Sequence, residues 1–310
     1  MSEKIYDVII IGGGPAGLSA AIYARRSELE TLVVEKGVYG GLLFQTAGIE
    51  NYPGGIKGES GADFSMRLVA QAESFGFEKV MGEVSDVSLE GSVKTVTISG
   101  KTYSGKTVII ATGNLPVLLN IPGEAEYTGK GVSYCATCDG PLFRGRDVYV
   151  IGGGNAAVEE SLHLAHFARK VTIMHRRDRL RANKYIQEKA LNTQNISFLF
   201  DTTLEEIKGS EVLGSIVVKN VKSGETYEIT APEADGIMGV FVFAGMAPQT
   251  ALFEGKLHME NGYILTDEEM HTSVPGVFAA GDVRKKSLRQ AVTAVSDGAV
   301  AAVEAEKYLE

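Results

Sequence analysis

Short apolar runs, glycine turns and helix-spaced apolar stretches alternate along the chain. Val8-Ile9-Ile10-Ile11 is a β-branched run without a polar break, which predicts a parallel strand buried on both faces. The turn Gly12-Gly13-Gly14-Pro15-Ala16-Gly17 follows it. Next come a helical stretch over Leu18–Arg26 and a second strand over Thr31–Val34 that ends at Glu35. The same order returns later. Val148–Ile151 predicts a strand, Gly152-Gly153-Gly154-Asn155-Ala156-Ala157 a turn, Val158–Ala168 a helix, and Val171–Met174 a second strand that ends at His175. Near the C-terminus, Gly276–Ala280 predicts a strand and Gly281-Asp282 a turn. Ala291–Leu309 then predicts a helix, with Val292, Val295, Val300 and Val303 at helical spacing.

Glu35 stands 23 residues after Gly12, and His175 stands 23 residues after Gly152. One Gly-x-Gly-x-x-Gly turn carries little information. Two copies, each between a strand and a helix and each with a polar residue at the same offset, point to two βαβ dinucleotide sites. The first glycine makes the bend and the second lets the backbone approach a pyrophosphate. The third position needs a small residue for close helix–strand packing, here Gly17 or Ala157. The helix N-terminus offers free N–H groups and a positive dipole end to the phosphates. Glu35 can accept from ribose hydroxyls and would repel a 2′-phosphate, which suits an unphosphorylated adenosine such as that of FAD. His175-Arg176-Arg177, with Arg181 one turn on, offers guanidinium forks matched to the 2′-phosphate of NADPH. A helix starting at Ala291 would aim N–H groups at an anion or an electron-rich ring; on spacing alone it reads equally as a packing helix.

The length, 310 residues, amounts to about two domains. With 44% apolar and 22% charged residues the composition is that of an ordinary globular protein. The net charge of −9 argues against a nucleic-acid partner and favours solubility. No apolar run approaches the length of a membrane span. The opening Met1–Asp7 lacks the pattern of a signal peptide, so a cytoplasmic location is expected.

Two cysteines, Cys135 and Cys138, stand in the run Cys135-Ala136-Thr137-Cys138-Asp139 just before the second βαβ repeat. Three readings compete. A structural zinc site needs four ligands, and the candidates to complete it are five histidines, of which His163 and His166 could share a helix face. A structural disulfide closing four residues would contribute about 2 kcal/mol on the chain-entropy model. The reading favoured is a redox dithiol, in which close spacing lets one thiolate attack and the other resolve the mixed disulfide. Asp139 is then an adjacent carboxyl able to move protons, or else a turn residue before Gly140.

With these residues in place, the chain resembles the bacterial-type low-molecular-weight thioredoxin reductases of the pyridine nucleotide-disulfide oxidoreductase family. The resemblance covers nearly the whole chain. It rests on Gly12–Gly17, Glu50-Asn51-Tyr52-Pro53-Gly54, Ala111-Thr112-Gly113, Cys135–Asp139, Gly152–Ala157, His175–Arg181, Gly281-Asp282 and Arg289-Gln290-Ala291. The cysteine motif between two nucleotide sites is the discriminating feature. The resemblance implies an α/β fold of two doubly wound, Rossmann-like domains, with the NADPH domain inserted into the FAD domain. The FAD domain is expected over 1–116 and 246–310, and the NADPH domain, carrying the cysteines, over 117–245. Gly113-Asn114-Leu115-Pro116 and Gly245-Met246-Ala247-Pro248 are the expected crossings.

It further implies a homodimer that passes electrons from NADPH through FAD and the cysteine pair to thioredoxin or a similar redoxin. In the family, one domain rotates against the other so that nicotinamide and dithiol reach the same flavin. Cys138 would face the flavin, Cys135 would attack the partner, and Asp139 would protonate a leaving thiolate. Gly12, Gly14, Pro15, Ala16, Glu35, Gly41, Asn51, Thr112, Gly113, Gly281, Asp282, Arg289, Gln290 and Ala291 would hold FAD. Gly154, Asn155, Ala156, Glu159, His175, Arg176, Arg177 and Arg181 would hold NADPH. No metal, membrane or nucleic acid is expected. The chain departs from the family's usual sequence at Leu42, Ala156, Leu180, Met246 and Gln249, and at Lys285-Lys286, where a more acidic stretch is usual. A flavin-binding redox sensor, which binds without steady turnover, is the reading from a different class.

Overall fold

The computed structural model describes residues 4–45, 49 and 51–310, without the side chains of Gln45, Thr137 and Cys138. The chain divides into two units, one built from residues up to Leu115 together with Ala247–Glu310, the other from Pro116–Met246.

The first unit opens with β1 (Ile5–Ile11), α1 (Pro15–Arg26) and β2 (Thr31–Glu35), followed by α2 (Gly61–Glu73), β3 (Glu78–Met81), β4 (Val84–Ser88), β5 (Lys94–Ile98) and β6 (Lys101–Ile110). The chain leaves this unit through the short strand β7 (Asn114–Pro116). The second unit then forms α3 (Glu124–Tyr127), β8 (Val132–Ser133), α4 (Ala136–Asp139), β9 (Asp147–Ile151), α5 (Asn155–Leu164), β10 (Lys170–Met174), α6 (Lys184–Leu191), β11 (Ile196–Leu199), the strands β12 (Thr202–Gly209), β13 (Leu213–Asn220) and β14 (Thr226–Thr230), and β15 (Gly239–Val242). The chain returns through β16 (Met246–Pro248) and finishes the first unit with β17 (Met259–Glu260), β18 (Tyr263–Ile264), β19 (Val277–Ala279) and α7 (Ala291–Leu309). Each crossing is held within its own unit. On one side Gln249 N–H donates to Gly113 O at 2.9 Å, and on the other Val117 N–H donates to Gly245 O at 3.0 Å.

In the first unit β3, β2, β1, β6 and β19 lie side by side in parallel. The early half of β6 also carries the antiparallel pair β5 and β4. Side chains alternate across this sheet. Ile9, Ile11, Leu32, Val34, Val108 and Ile110 face one cluster, and Val8, Ile10, Val33, Ile109 and Phe278 face another. The second cluster is completed by alanines of α1 and α7, the first by Phe253, Leu257 and Ile264. A sheet covered on both faces has no polar side to present, hence strands without polar breaks.

The second unit repeats this plan with the parallel order β11-β10-β9-β15-β8. Val148, Val150, Val171, Ile173 and Phe241 pack on α5 and α6. The other face, with Ile151, Met174, Val240 and Val242, is covered by Leu204, Ile207, Ile216 and Val218 of the antiparallel sheet β12-β13-β14.

Among the described residues no helix is long and apolar enough to cross a membrane.

Candidate nucleotide and dithiol sites

In both units the chemistry-bearing residues gather past the carboxyl ends of the parallel strands, where ligands bind in open α/β sheets. In the first unit the glycine turn between β1 and α1 shows why each position has its residue. Gly12 has φ +113°, and a Cβ there would lie 2.2 Å from Ala111 O. A Cβ on Gly17 would lie 1.8 Å from Gly12 O, so helix and strand close only on glycine. Gly14 has open space on its Cβ side apart from Gly41 Cα at 3.9 Å. That leaves the backbone bare where a pyrophosphate would approach. Pro15 opens α1, a position whose missing N–H costs nothing.

Glu35, at the end of β2, accepts from Gly13 N–H and Gly37 N–H, both at 2.7 Å. A cavity of about 270 Å³ lies beside it, lined by Gly12, Glu35, Gly82, Val84, Thr112 and Gln249 among others. Thr112 Oγ1 donates to Gln249 O at 2.7 Å, and Gly113 takes φ +66°. On the other side of the turn a Cβ on Gly281 would meet Ala16 Cβ at 2.9 Å. Asn51 Nδ2 donates to Gln290 Oε1 at 2.9 Å, which ties two distant segments at the start of α7. Gln290 and Thr293 form a reciprocal capping box, leaving Ala291 as the first helical residue. The structure thus brings together the residues that the sequence assigned to a flavin nucleotide.

Two buried polar atoms in this group have no hydrogen-bond partner among the described residues: Asp282 Oδ1 and Arg289 Nε. Burial pushes the Asp282 carboxyl up, while Lys286 and then Arg289 pull it down. The Arg289 guanidinium lies 4.0 Å from the centre of the Tyr263 ring. A carboxylate able to accept from ribityl hydroxyls, an open glycine backbone and a glutamate at the end of β2 fit the chemistry of FAD.

The second unit repeats the turn. Gly152 has φ +151°, and its Cβ would meet Phe243 O at 2.5 Å. Gly154 faces open space, and Ala157 is fully buried against β9. Asn155 Oδ1 accepts from Asn183 N–H at 2.8 Å, and Ala156 and Glu159 lie exposed on the first turns of α5. The residue at the Glu35 offset, His175, does not cap the turn. Its ring is buried and packs within 2.5 Å of where a Gly153 Cβ would stand. Its Nε2 is buried without a partner among the described residues. Burial lowers its proton affinity, as do the charges of Arg181, Arg177 and Arg176 in that order. The three arginines are exposed, and among the described residues none is spent on an ion pair. A cluster of unspent guanidinium groups beside an open phosphate turn fits a 2′-phosphorylated nucleotide.

Cys135 follows β8, an edge strand of the same sheet. It is disulfide-bonded, and the chain's other cysteine is Cys138. Cys135 N–H donates to Ser133 Oγ at 3.0 Å, and Asp139 N–H donates to Cys135 O at 3.2 Å, closing the single turn α4. The buried carboxylate of Glu124 accepts from Leu119 N–H, Asn120 N–H and Tyr134 Oη at 2.9, 2.6 and 2.8 Å. It thereby anchors the residue before Cys135. The Cys138 side chain and Glu50 lie outside the described residues.

The sequence reading passed over Glu124 and the partners of Asp297, an acid on the buried stripe of α7. Its signal was present, because Ala294, Asp297, Gly298, Ala301, Ala302 and Ala305 share one helical spacing.

Fold and sites together define an α/β protein of two units that each open on a glycine turn, the second carrying a disulfide, and the chain belongs to the pyridine nucleotide-disulphide oxidoreductase family, whose sequence profile matches residues 6–298. Among known proteins it is 51% identical over 309 residues to a thioredoxin reductase of Peptoclostridium acidaminophilum, covering 99% of this chain and 98% of that one. It is 52% identical to the thioredoxin reductase of Peptoclostridium litorale at the same coverage. Among solved structures, Lactococcus lactis thioredoxin reductase superposes with a TM-score of 0.90 at 46% identity, covering 98% of this chain and 99% of that one.

Proposed function

We propose that the chain is a thioredoxin-disulfide reductase that takes electrons from NADPH and passes them through Cys135 and Cys138 to the disulfide of thioredoxin or a similar redoxin. The carrying observation is the disulfide at Cys135, set beyond β8 in the same sheet whose β9 turn and arginine cluster suit NADPH. The first unit is read as the FAD domain and the second as the NADPH domain.

Gly12, Gly14, Pro15, Ala16, Glu35, Gly41, Asn51, Thr112, Gly113, Gly281, Asp282, Arg289, Gln290 and Ala291 would hold FAD. Bound FAD would supply a two-electron relay between the pyridine nucleotide and the disulfide. Gly154, Asn155, Ala156, Glu159, His175, Arg176, Arg177 and Arg181 would hold NADPH.

Once the pair is a dithiol, the Cys135 thiolate attacks one sulfur of the partner disulfide, and the other partner sulfur leaves as a thiolate that Asp139 protonates. The Cys138 thiolate then attacks the Cys135 sulfur, which restores the internal disulfide and releases the second partner thiol. Two electrons have moved from the dithiol to the partner. The same reading carries a homodimer, testable by sedimentation. It also carries a reducing cytoplasmic setting, where a closely spaced cysteine pair works as a redox couple.

The test is anaerobic titration with NADPH, followed by flavin absorbance, then addition of oxidised thioredoxin, with Cys135→Ser/Cys138→Ser alongside. The flavin should bleach in both proteins, and thioredoxin should reoxidise only the wild type. Flavin that stays oxidised under NADPH, in protein that reduces thioredoxin once dithionite has reduced it, would overturn the arginine assignment and point to a donor such as ferredoxin.

A further inference from the structure

The turn between β19 and α7 holds a buried charge cluster. Asp297, on the buried stripe of α7, is 7% exposed. One of its oxygens accepts from Gly281 N–H at 3.0 Å and Lys286 Nζ at 2.7 Å, and the other pairs with Arg284 Nη1 at 3.1 Å. The Lys286 and Arg284 side chains are themselves nearly buried, at 10% and 12% exposure. Arg284 is further fixed by Thr266 Oγ1 and Asp267 O at 2.8 and 3.1 Å.

Burying a lysine is costly, and one carboxylate needs only one cation. Arg284 and Gly281 N–H already satisfy Asp297, so the second cation has another use. The next residue along the turn is Asp282, with its Oδ1 buried and unpartnered. The charged groups that act on it are Lys286, Arg289 and Asp297.

We propose that Lys286 is a positioning residue for flavin binding: pinned by Asp297 beneath the Gly281–Asp282 turn, it holds Asp282 as an ionised hydrogen-bond acceptor for the FAD ribityl chain. This rests on reading the first unit as the FAD domain. A carboxylate accepts from a hydroxyl about twice as strongly as a neutral acid does. Without Lys286, burial would leave Asp282 protonated at a higher pH than in the wild type. FAD would then be lost as pH falls, whereas a purely structural lysine would weaken binding by the same factor at every pH.

The test is FAD dissociation, read as fluorescence of the released flavin between pH 5.5 and 8.5. It compares wild type, Lys286→Met, Lys286→Arg, Asp282→Asn and the Lys286→Met/Asp282→Asn double variant. Arg284 still neutralises Asp297 in Lys286→Met, and circular dichroism of the apoprotein checks its fold. Wild type and Lys286→Arg should share one profile. Lys286→Met should lose affinity about tenfold more at the acid end than at the alkaline end. Asp282→Asn should bind weakly at all pH values and abolish the slope in the double variant. A flat Lys286→Met profile, or a slope that survives Asp282→Asn, overturns the proposal. A wild-type chain that binds no flavin overturns instead the domain reading beneath it.

Discussion

Glu160 sits on α5 with one carboxylate oxygen buried and, among the described residues, without a hydrogen-bond partner. Burial, and then the neighbouring charge of Glu159, push its carboxyl up to about 7 from an ordinary 4.5. The folded protein therefore holds a proton that the unfolded chain gives up at lower pH. The associated stability is whole below about pH 4.5 and is lost as pH rises through about 7. Glu160→Gln keeps the shape and removes the titration. It should melt like the wild type at about pH 4 and be more stable at pH 8.5 by about 3 kcal/mol, measured as thermal unfolding at the two pH values. An equal shift at both would refute the buried-charge account. At this scale the sequence was most legible where sterics decide. Gly12, Gly17 and Gly152 are forced by contacts with their own strand neighbours, and the spacing alone disclosed them. The protonation of Glu160 was hidden, because it depends on burial that no local pattern shows.

α1 and α7 run in the same direction and touch closely. Ser19 Oγ donates to Val295 O at 2.7 Å, and Ser27 Oγ donates to Glu306 Oε2 at 2.6 Å. A Cβ on Gly298 would stand 2.0 Å from Ala16 O. Gly298→Ala must push the two helices apart, at a cost of about 3 kcal/mol. Since α1 opens from the glycine turn proposed to hold the FAD pyrophosphate, the variant should be purified with less FAD per chain and a lower thermal midpoint. Full flavin content with an unchanged midpoint would show that the helices yield. Both βαβ repeats and α7 were legible, as periodicity and glycine turns are local signals. The helix expected to run on to Ala168 instead ends at Leu164. There His166 and Phe167 bond back three residues, and the Asn195 amide takes the carbonyls of Ala165 and Ala168. A cap supplied from about thirty positions away leaves no mark in the local sequence. The β12-β13-β14 sheet escaped for a similar reason: β14 is almost wholly exposed, and a bulge breaks the alternation of β12.

At the scale of the whole molecule, the proposed FAD and NADPH sites belong to different units, so they should fail separately. Arg177→Ala and Arg181→Ala should each raise the KM for NADPH roughly tenfold to a hundredfold, the worth of a charge-assisted hydrogen bond. The KM for NADH and the flavin content should stay unchanged. An equal rise for both pyridine nucleotides would remove the 2′-phosphate from the account. The insertion has one further consequence, which concerns birth rather than catalysis. β19 and α7, which complete the first unit's sheet and its alanine-lined cluster, are encoded after the whole of Pro116–Met246. At ribosomal speed that intervening stretch takes on the order of ten seconds to make. The second unit, contiguous in the chain, can close as it emerges. The first must keep the inner faces of Ala16, Ala20 and Ile109 uncovered until the last helix leaves the tunnel, so its nascent half is the part of this protein with most need of a chaperone.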